Sequence, residues 1–208
     1  MSVKAKTRQH IIEAAQKLFL LHGYSNMSVD DLARELGISK KTIYNHFSSK
    51  SELLMAGIEQ FALEYQEKAD TILNNVDLTL RQKVAAYLRF IGMSFANINQ
   101  GFWTDIKRSE PEAWKKACEI RRDIPLKHFS QLMDEGVRVG YLRDDSSRHI
   151  AMLTYVAAIQ QLTDLDFLNQ FPEAITSALS KELPERADQI VNLLLHGLLT
   201  PRFYNEIT

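Results

Sequence analysis

The first fifty residues contain short runs of apolar positions at helical spacing, each bounded by residues that start or end helices. In the first run the apolar residues recur at i, i+3, i+4, i+7 and i+8, which is one face of a helix: Ile11, Ala14, Ala15, Leu18 and Phe19. Gly23 follows, where a left-handed residue commonly ends a helix. Ser28 and Asp31 then have the spacing of a capping box, and Gly37 ends the second helix about two turns later.

A third helix is predicted directly after this glycine, because Ser39 can cap it. Ser49 can cap a fourth helix, with Glu52 completing another S-x-x-E box. The apolar residues assigned to the core of this region include Leu32, Leu36, Ile43 and Phe47. Two short helices joined by a tight, glycine-containing turn form a helix-turn-helix, and the second and third helices fit that description.

The exposed face of the third helix carries hydrogen-bond donors and a ring but no acid: Lys40, Lys41, Thr42, Tyr44, Asn45 and His46. Lysines, hydroxyls and a tyrosine can reach phosphate oxygens, while Thr42 and Asn45 are small or bidentate enough for base edges. The N-termini of the third and fourth helices present free N–H groups suited to phosphates. Lys50, in the first turn of the fourth helix, opposes the helix dipole, and a bound phosphate would explain its placement.

The rest of the chain has helical patterns and no strand signal, since it lacks sustained period-two alternation and any Asn-Gly or Asp-Gly hairpin. An all-α fold is therefore predicted. The predicted helices cover 50–74, 101–108, 172–183 and 184–199, with others beginning at Thr79, at Pro111 and at Ser146 or Ser147, the last reaching about 168. Pro125 predicts a kink or break in the helix that begins at Pro111, and Gly136 and Gly140 close that segment.

Two C-terminal helices are apolar on nearly every side. Their apolar residues are Ile150, Met152, Leu153, Tyr155, Val156, Ile159 and Leu162 in one, and Ile190, Val191, Leu193, Leu194, Leu195, Leu198 and Leu199 in the other. A helix of this kind must be buried on every side, so in a chain of this size a partner subunit is expected to cover one of them. The alternative is a central helix in a monomeric bundle.

Composition and charge refine this picture. The chain has 208 residues and a formal net charge of −1, which taken whole argues against a strongly basic nucleic-acid binder. Residues 1–50 nevertheless hold eight basic against four acidic residues, a charge of +4, and the remainder holds 17 against 22, a charge of −5. This asymmetry indicates that one end meets a polyanion, although a chance fluctuation of a few charges would look the same.

The first quarter of the chain resembles the DNA-binding domain of the TetR family of bacterial transcriptional regulators. The matching pieces are Ala14-Ala15, Leu18-Phe19, Gly23-Tyr24, Ser28-Val29, Leu32-Ala33, Gly37-Ile38-Ser39, Thr42-Ile43-Tyr44, His46-Phe47 and Lys50. One departure is Lys41, where many members have glycine; lysine keeps a donor at the DNA face. The resemblance implies a helix-turn-helix domain over 1–49 and a helical domain for ligand binding and dimerisation over 50–208.

The resemblance also assigns roles to residues of the helix-turn-helix domain over 1–49, which is named the reading head. Tyr44 and Lys50 are expected to clamp phosphates, and the further DNA-contacting candidates are Ser28, Ser39, Lys40, Lys41, Thr42, Asn45 and His46. Among these, Lys40, Lys41, Thr42 and Asn45 are the base-reading candidates. Tyr44 could instead pack against the first helix, and Asn45 could be a surface residue that meets nothing, because recognition helices read bases through only three or four side chains.

Family resemblance further implies an effector cavity among the middle helices, where aromatic residues cluster between 87 and 129. The pocket candidates are Tyr87, Phe90, Phe95, Trp103, Trp114, Arg121, His128 and Tyr155, with Asn97 as a further polar anchor. The alternative for each ring is plain core packing.

The remaining chemistry is sparse. The single cysteine, Cys118, lies near several cations and could sense oxidants, but a lone thiol is more often a small packed hydrophobe. The histidines have no metal-ligand spacing, and neither a cofactor motif nor a catalytic motif occurs, so we predict no metal, no cofactor and no catalytic residue.

These features predict a cytoplasmic, ligand-responsive repressor, a homodimer that joins through its C-terminal helices and binds a palindromic operator. The cytoplasmic location is expected because the sequence shows no secretory leader and no apolar run long enough to span a bilayer. Two alternative functions are open. One is a helical enzyme or binding protein for a small hydrophobic molecule; the other is a non-specific architectural DNA binder, which the acidic remainder of the chain disfavours.

Overall fold

The computed structural model of this chain describes residues 3–96, 98–162 and 165–196. The regular structure in these ranges is helical: α1 Val3–His22, α2 Val29–Leu36, α3 Lys40–Tyr44, α4 Lys50–Leu73, α5 Leu80–Ala96, α6 Gln100–Ser109, α7 Pro111–Arg138, α8 Ser147–Leu162, α9 Leu165–Leu168, α10 Glu173–Thr176 and α11 Leu183–His196. The all-α prediction is confirmed. Within the described ranges, no helix combines the length and hydropathy that crossing a membrane requires.

The chain divides into two compact units. Unit 1 comprises Met1–Thr71 and Asn97–His128, and unit 2 comprises Ile72–Ala96 and Phe129–Thr208. These units are defined by how the chain packs. The predicted boundary between residues 49 and 50 separates two functions instead, and it stays a prediction.

Local capping explains the short helices of unit 1. The Ser28 hydroxyl accepts from the Asp31 N–H at 3.1 Å, and the Asp31 carboxylate accepts from the Ser28 N–H at 3.0 Å, which is the predicted capping box. Gly37 ends α2 with a φ of 63°, a left-handed conformation that glycine adopts without strain. The core prediction holds for three residues, since Leu32, Ile43 and Phe47 are buried. It was wrong for Leu36, which is half-buried because it is the last residue of α2.

The caps of the middle helices also follow the sequence. The Thr79 hydroxyl and the Gln82 side chain cap α5 reciprocally, with Thr79 N–H donating to Gln82 Oε1 at 2.9 Å. Pro111 opens α7 as expected. The break considered at Pro125 does not occur, because α7 continues through it to Arg138. Gly136 also lies inside α7 rather than closing it, and a Cβ there would come within 2.6 Å of Leu142 Cδ1.

The predicted C-terminal helices are described in part. Within the helix predicted to reach about 168, α8 covers Ser147–Leu162 and α9 covers Leu165–Leu168, while residues 163–164 lie outside the described residues. The helix expected over 172–183 is only the four residues Glu173–Thr176. α11 is described to His196, so the part of its predicted range beyond that residue, including Leu198 and Leu199, also lies outside.

Unit 2 is centred on the packing of α11 against α5 and α8. The Tyr155 hydroxyl donates to the Leu88 carbonyl, and the buried Arg186 guanidinium donates to the Ser180 and Leu162 carbonyls at 2.8 and 2.9 Å. Large apolar side chains nevertheless remain at the surface, with Ile150 61%, Leu153 69% and Leu193 54% exposed. These three belong to the helices that the sequence marked as apolar on every side.

Candidate nucleic-acid interface

The candidate reading surface is built on α3 and the residues that bound it, Ser39 to His46. Ser39 Oγ accepts from the Thr42 N–H at 3.0 Å and lies 2.8 Å from Thr42 Oγ1, so both hydroxyls take part in the cap. Ile43 is buried beneath the helix, while Lys41 and Asn45 are exposed. One short, firmly capped helix therefore presents the side chains that the sequence singled out.

The aromatic and imidazole rings of this surface differ in exposure. Tyr44 is 45% exposed, so its ring is not part of the core in this chain. His46 is half-buried, with its ring centroid 6.5 Å from that of Phe47. The Tyr44 side chain is accessible to solvent, and contacts of Tyr44 and His46 with DNA stay predictions.

One base-reading candidate already has a partner. Lys40 Nζ lies 2.7 Å from Asp30 Oδ2, and this bond raises the pKa of Lys40. Both side chains are exposed to solvent, and surface pairs of this kind are weak, so a phosphate or base edge can replace the carboxylate. Ser28 is engaged as well, because its hydroxyl caps α2 and lies 2.6 Å from Asp31 Oδ2.

Lys50 points inward to the α1–α2 loop. Its ammonium donates to the Tyr24 carbonyl at 2.6 Å and lies 3.9 Å from the centroid of the Tyr24 ring. Burial lowers the pKa of Lys50 below its ordinary value. In this arrangement the predicted phosphate clamp helps to hold the reading head together, and its contact with DNA stays a prediction.

The cap of α4 departs from the predicted box. Ser49 Oγ accepts from the Glu52 N–H at 3.0 Å as expected. The Glu52 carboxylate, however, accepts from the Ser48 N–H at 2.6 Å and the Ser48 hydroxyl at 2.7 Å rather than from Ser49. The predicted box assigned both bonds to Ser49, but in the structure Ser49 accepts from the Glu52 backbone and Ser48 donates to the Glu52 carboxylate.

A polar junction joins the reading head to the corner between α6 and α7. Glu110 accepts from the Tyr24 hydroxyl at 2.5 Å and from the Ser51 hydroxyl at 2.6 Å. Beside it, the Ser25 N–H donates to Asp105 Oδ2 at 2.9 Å. Burial and the Glu110 carboxylate raise the pKa of Tyr24. Sequence reasoning missed this Glu110 junction, because Tyr24 and Ser51 lie 86 and 59 residues from Glu110 and no local spacing links them.

Two cavities contain some of the predicted pocket residues. The first, in unit 1, measures about 30 Å³. Its lining comprises Gln16, Phe19 and Leu20 of α1, Leu54, Gly57, Ile58 and Phe61 of α4, Ile98 before α6, Phe102 and Trp103 of α6, and Ala117, Ile120 and Arg121 of α7. The second, a groove in unit 2, measures about 920 Å³, and its lining includes Leu88, Phe129, Met133, Leu142 and Tyr155. Trp103 and Arg121 thus share one cavity, and Tyr155 lines the other.

Among the described pocket candidates, Tyr87, Phe90, Trp114 and His128 line neither of these two cavities. Tyr87 is fully buried, and Phe90 is half-buried on α5. Trp114 packs edge-on against Trp103 with 6.3 Å between ring centroids. His128 is fully buried with Nε2 3.2 Å from Asp70 Oδ1, and burial lowers the pKa of this imidazole. The side chain of Phe95 and all of Asn97 lie outside the described residues.

Cys118 is a free, half-buried thiol on α7. No group of three or more histidines, cysteines or carboxylates is placed to hold a metal ion within the described ranges.

A capped helix-turn-helix at the start of an all-helical chain defines a helix-turn-helix DNA-binding protein. Residues 11–56 match the family model of bacterial regulatory proteins of the tetR family. A helix-turn-helix transcriptional regulator of Staphylococcus aureus is 34% identical over 148 residues, covering 60% of this chain and 78% of the relative. The chain belongs to the TetR family of bacterial transcriptional regulators.

Two further matches agree. The regulator YvaF of Bacillus subtilis is 31% identical over 106 residues, which cover 51% of this chain and 55% of the relative. The match therefore spans only about half the length of that curated relative. A TetR/AcrR-family regulator from Thermobifida fusca, a crystal structure, superposes with a TM-score of 0.66 at 25% identity, covering 94% of this chain and 100% of the other.

Proposed function

We propose that this chain is a ligand-responsive transcriptional repressor of the cytoplasm. It binds a palindromic DNA operator as a homodimer, and a small-molecule effector releases it. The observation that carries the DNA proposal is the reading surface, where Lys41, Tyr44 and Asn45 project from a helix fixed by the Ser39 cap. Such a surface supplies donors to phosphates and bases, and the acid beside it, Asp30, is already paired. No enzymatic role is assigned.

The exposed apolar side chains on α8 and α11 support the dimer. Ile150 and Leu153 lie on α8 and Leu193 on α11, and each is more than half exposed in the single chain. Twofold dimers are the commonest assemblies of soluble proteins, and a second copy would remove these side chains from water. A dimer also supplies two reading heads, which must lie about 34–36 Å apart to enter successive major grooves.

DNA binding is tested with a gel shift on the intergenic DNA upstream of the protein's own gene, at low salt. Lys41→Ala should change which sequence is preferred, whereas Tyr44→Ala and Lys50→Ala should weaken binding to every sequence. Each lost phosphate contact lowers the salt slope of log K by about 0.9. Lys68→Ala, which removes an exposed lysine from α4, is the matched control and should change neither quantity. Failure of the wild-type protein to bind this DNA would reject the proposal.

The effector part rests on the two cavities. The groove of unit 2 has the volume of a site for a drug-sized ligand, and the cavity of unit 1 touches α1 of the reading head directly. An effector must bind the DNA-competent and released forms with different affinity to shift the balance between them. The action of an effector is tested by adding a ligand that binds either cavity and measuring whether the protein releases the bound operator DNA.

A further inference from the structure

The beginning of α1 carries a group of positive charges that the reading surface does not include. Lys4, Lys6 and Arg8 are basic, and the first acidic residue of the chain is Glu13. All three basic side chains are exposed. Within the described ranges, neither Lys4 nor Arg8 takes part in an ion pair. Their charges are therefore available to a negatively charged partner.

The helical spacing divides these three residues between two sides of α1. Lys4, Arg8 and Ile12 are four residues apart and lie along one side. Ile12 is 4% exposed, so this is the side through which α1 packs on the rest of the reading head. Lys6 lies about 200° around the helix from both Lys4 and Arg8, on the opposite side.

Arg8 is held beside the end of α3. Its guanidinium carbon lies 4.9 Å from the centroid of the Phe47 ring, and Phe47 is three residues beyond the last residue of α3. The next residue of α1, Gln9, donates to Gln60 Oε1 of α4 at 3.1 Å and fixes this part of α1. Lys4 lies one turn further out, about 6 Å along the helix axis. Lys4 and Arg8 thus extend the basic reading surface past the end of α3.

The acidic residue near Arg8 is Glu52, in the first turn of α4. Its carboxylate accepts from the Ser48 hydroxyl and the Ser48 N–H, and these bonds, with a smaller contribution from the charge of Arg8, hold the pKa of Glu52 below its ordinary value. Glu52 is therefore engaged in the cap of α4. The Phe47 ring meets the face of the planar Arg8 guanidinium, which leaves N–H donors at its edge for another acceptor.

We propose that Lys4 and Arg8 bind backbone phosphates of the operator, beside the stretch of major groove that α3 enters. This inference rests on the proposed function, because it adds a second contact surface to the same reading head. The major groove is about 12 Å wide and admits one helix, so cations next to the end of that helix face the phosphates that border the groove. Such contacts position the reading head on DNA without reading its sequence.

The test compares three variants of the full-length protein, Lys4→Ala, Arg8→Ala and Lys6→Ala. Each removes one positive charge from α1, so Lys6→Ala controls for the general loss of charge. Binding to the upstream intergenic DNA and to a random-sequence duplex of the same length is measured by fluorescence anisotropy between about 50 and 200 mM salt.

Lys4→Ala and Arg8→Ala should each lower the slope of log K against log salt by about 1.8, because a dimer loses two phosphate contacts of about 0.9 each. Affinity for the upstream DNA at about 0.1 M salt should fall about tenfold or more, while the preference for this DNA over the random duplex is unchanged. Lys6→Ala should keep a slope close to that of the wild type. Ethylation of the contacted phosphates should block binding of the wild type and of Lys6→Ala but have no effect on the variant that has lost the contact.

Arg8→Ala also removes the contact with Phe47, so urea unfolding checks that this variant is folded. Lys4→Ala changes an exposed residue and decides the outcome by itself. The inference is wrong if Lys4→Ala and Lys6→Ala have the same affinity and the same salt slope, or if Lys4→Ala changes which sequence is preferred. A wild-type protein that binds neither DNA would reject the proposed function as well, whereas a wild type that binds while Lys4→Ala behaves as the control would reject this inference alone.

Discussion

The two compact units handle their apolar surface differently. In unit 1 the inward-facing apolar residues of α1 to α3 are covered by their own chain, with Ile11, Ile43 and Phe47 almost completely buried, although Leu21 is 53% exposed. In unit 2 Leu153 and Leu193 face solvent, and a groove of about 920 Å³ stays open. The contrast agrees with the proposed dimer, in which unit 1 would be completed within one chain and unit 2 by a second copy. The changes in stability caused by mutations in the two units should therefore depend differently on protein concentration.

The largest effect is expected from truncating the core of the reading head. Phe47→Ala removes a ring that is 1% exposed and lies 4.9 Å from the Arg8 guanidinium carbon. The loss of burial and the resulting cavity should lower the free energy of unfolding by about 3–5 kcal/mol. Urea unfolding measures this loss, which should be the same at every protein concentration. Val76→Ala, at a residue 91% exposed, is the control and should be neutral.

The next effect tests unit 2. Leu153→Asp places a carboxylate on the exposed apolar face of α8, and in a twofold dimer the symmetry-related carboxylates would both lose solvent. The dimer dissociation constant should rise about 100-fold or more, measured by sedimentation equilibrium. The melting temperature of the wild type, but not of this variant, should increase with protein concentration. If sedimentation equilibrium showed the wild-type protein to be a monomer, the proposal that a second copy covers the apolar surface of unit 2 would be wrong.

A smaller effect comes from the helix cap that starts α2. Ser28→Ala removes the hydroxyl that accepts from the Asp31 N–H, and should lower the free energy of unfolding by about 0.5–2 kcal/mol. Ser177→Ala, which changes an exposed serine of unit 2, provides the comparison. If both variants lost the same free energy of unfolding, the Ser28–Asp31 capping box would not stabilise unit 1.

The smallest effect is a dependence on pH. Hydrogen bonds from Ser28 hold the pKa of Asp31 below its ordinary value, and those from Ser48 do the same for Glu52. A carboxyl group whose folded pKa is depressed stabilises the fold above its unfolded pKa of about 4 and loses that contribution as the pH falls further. Urea unfolding between pH 5 and pH 3 should therefore show a smaller decline for Asp31→Asn than for wild type. Asp77→Asn, in the exposed segment before α5, should decline as wild type does.

Much of the fold could be predicted because its signals act over a few residues. The Ser28–Asp31 box, Gly37, Thr79 and Pro111 each fix a helix end through neighbours within one turn. The same local rule misassigned the Glu52 partner, since Ser48 and Ser49 are both within reach of that helix end. Pro125 does not break α7, which continues over 28 residues, and the kink that was the other predicted outcome stays a prediction.

The candidate site was predictable in its residue types but not in its internal contacts. Exposure of Lys41 and Tyr44 follows from the spacing of Ile43 and the cap at Ser39. The inward turn of Lys50 depends on the carbonyl of Tyr24, 26 residues away, and no periodic pattern specifies it. The Glu110 junction and the cavity around Trp103 are likewise products of tertiary packing.

The pairing of Lys40 with Asp30 bears on how a regulator searches a genome. A dimer that binds every stretch of DNA tightly spends its time on wrong sites, because these outnumber the operator enormously. In the proposed DNA complex, Asp30, whose carboxylate lies 2.7 Å from Lys40 Nζ, would place a negative charge beside the reading surface and weaken contact with phosphates. We expect this charge to shorten the time spent on random sequence, where no base contacts compensate for it. Asp30 would then set how quickly the protein leaves a wrong site.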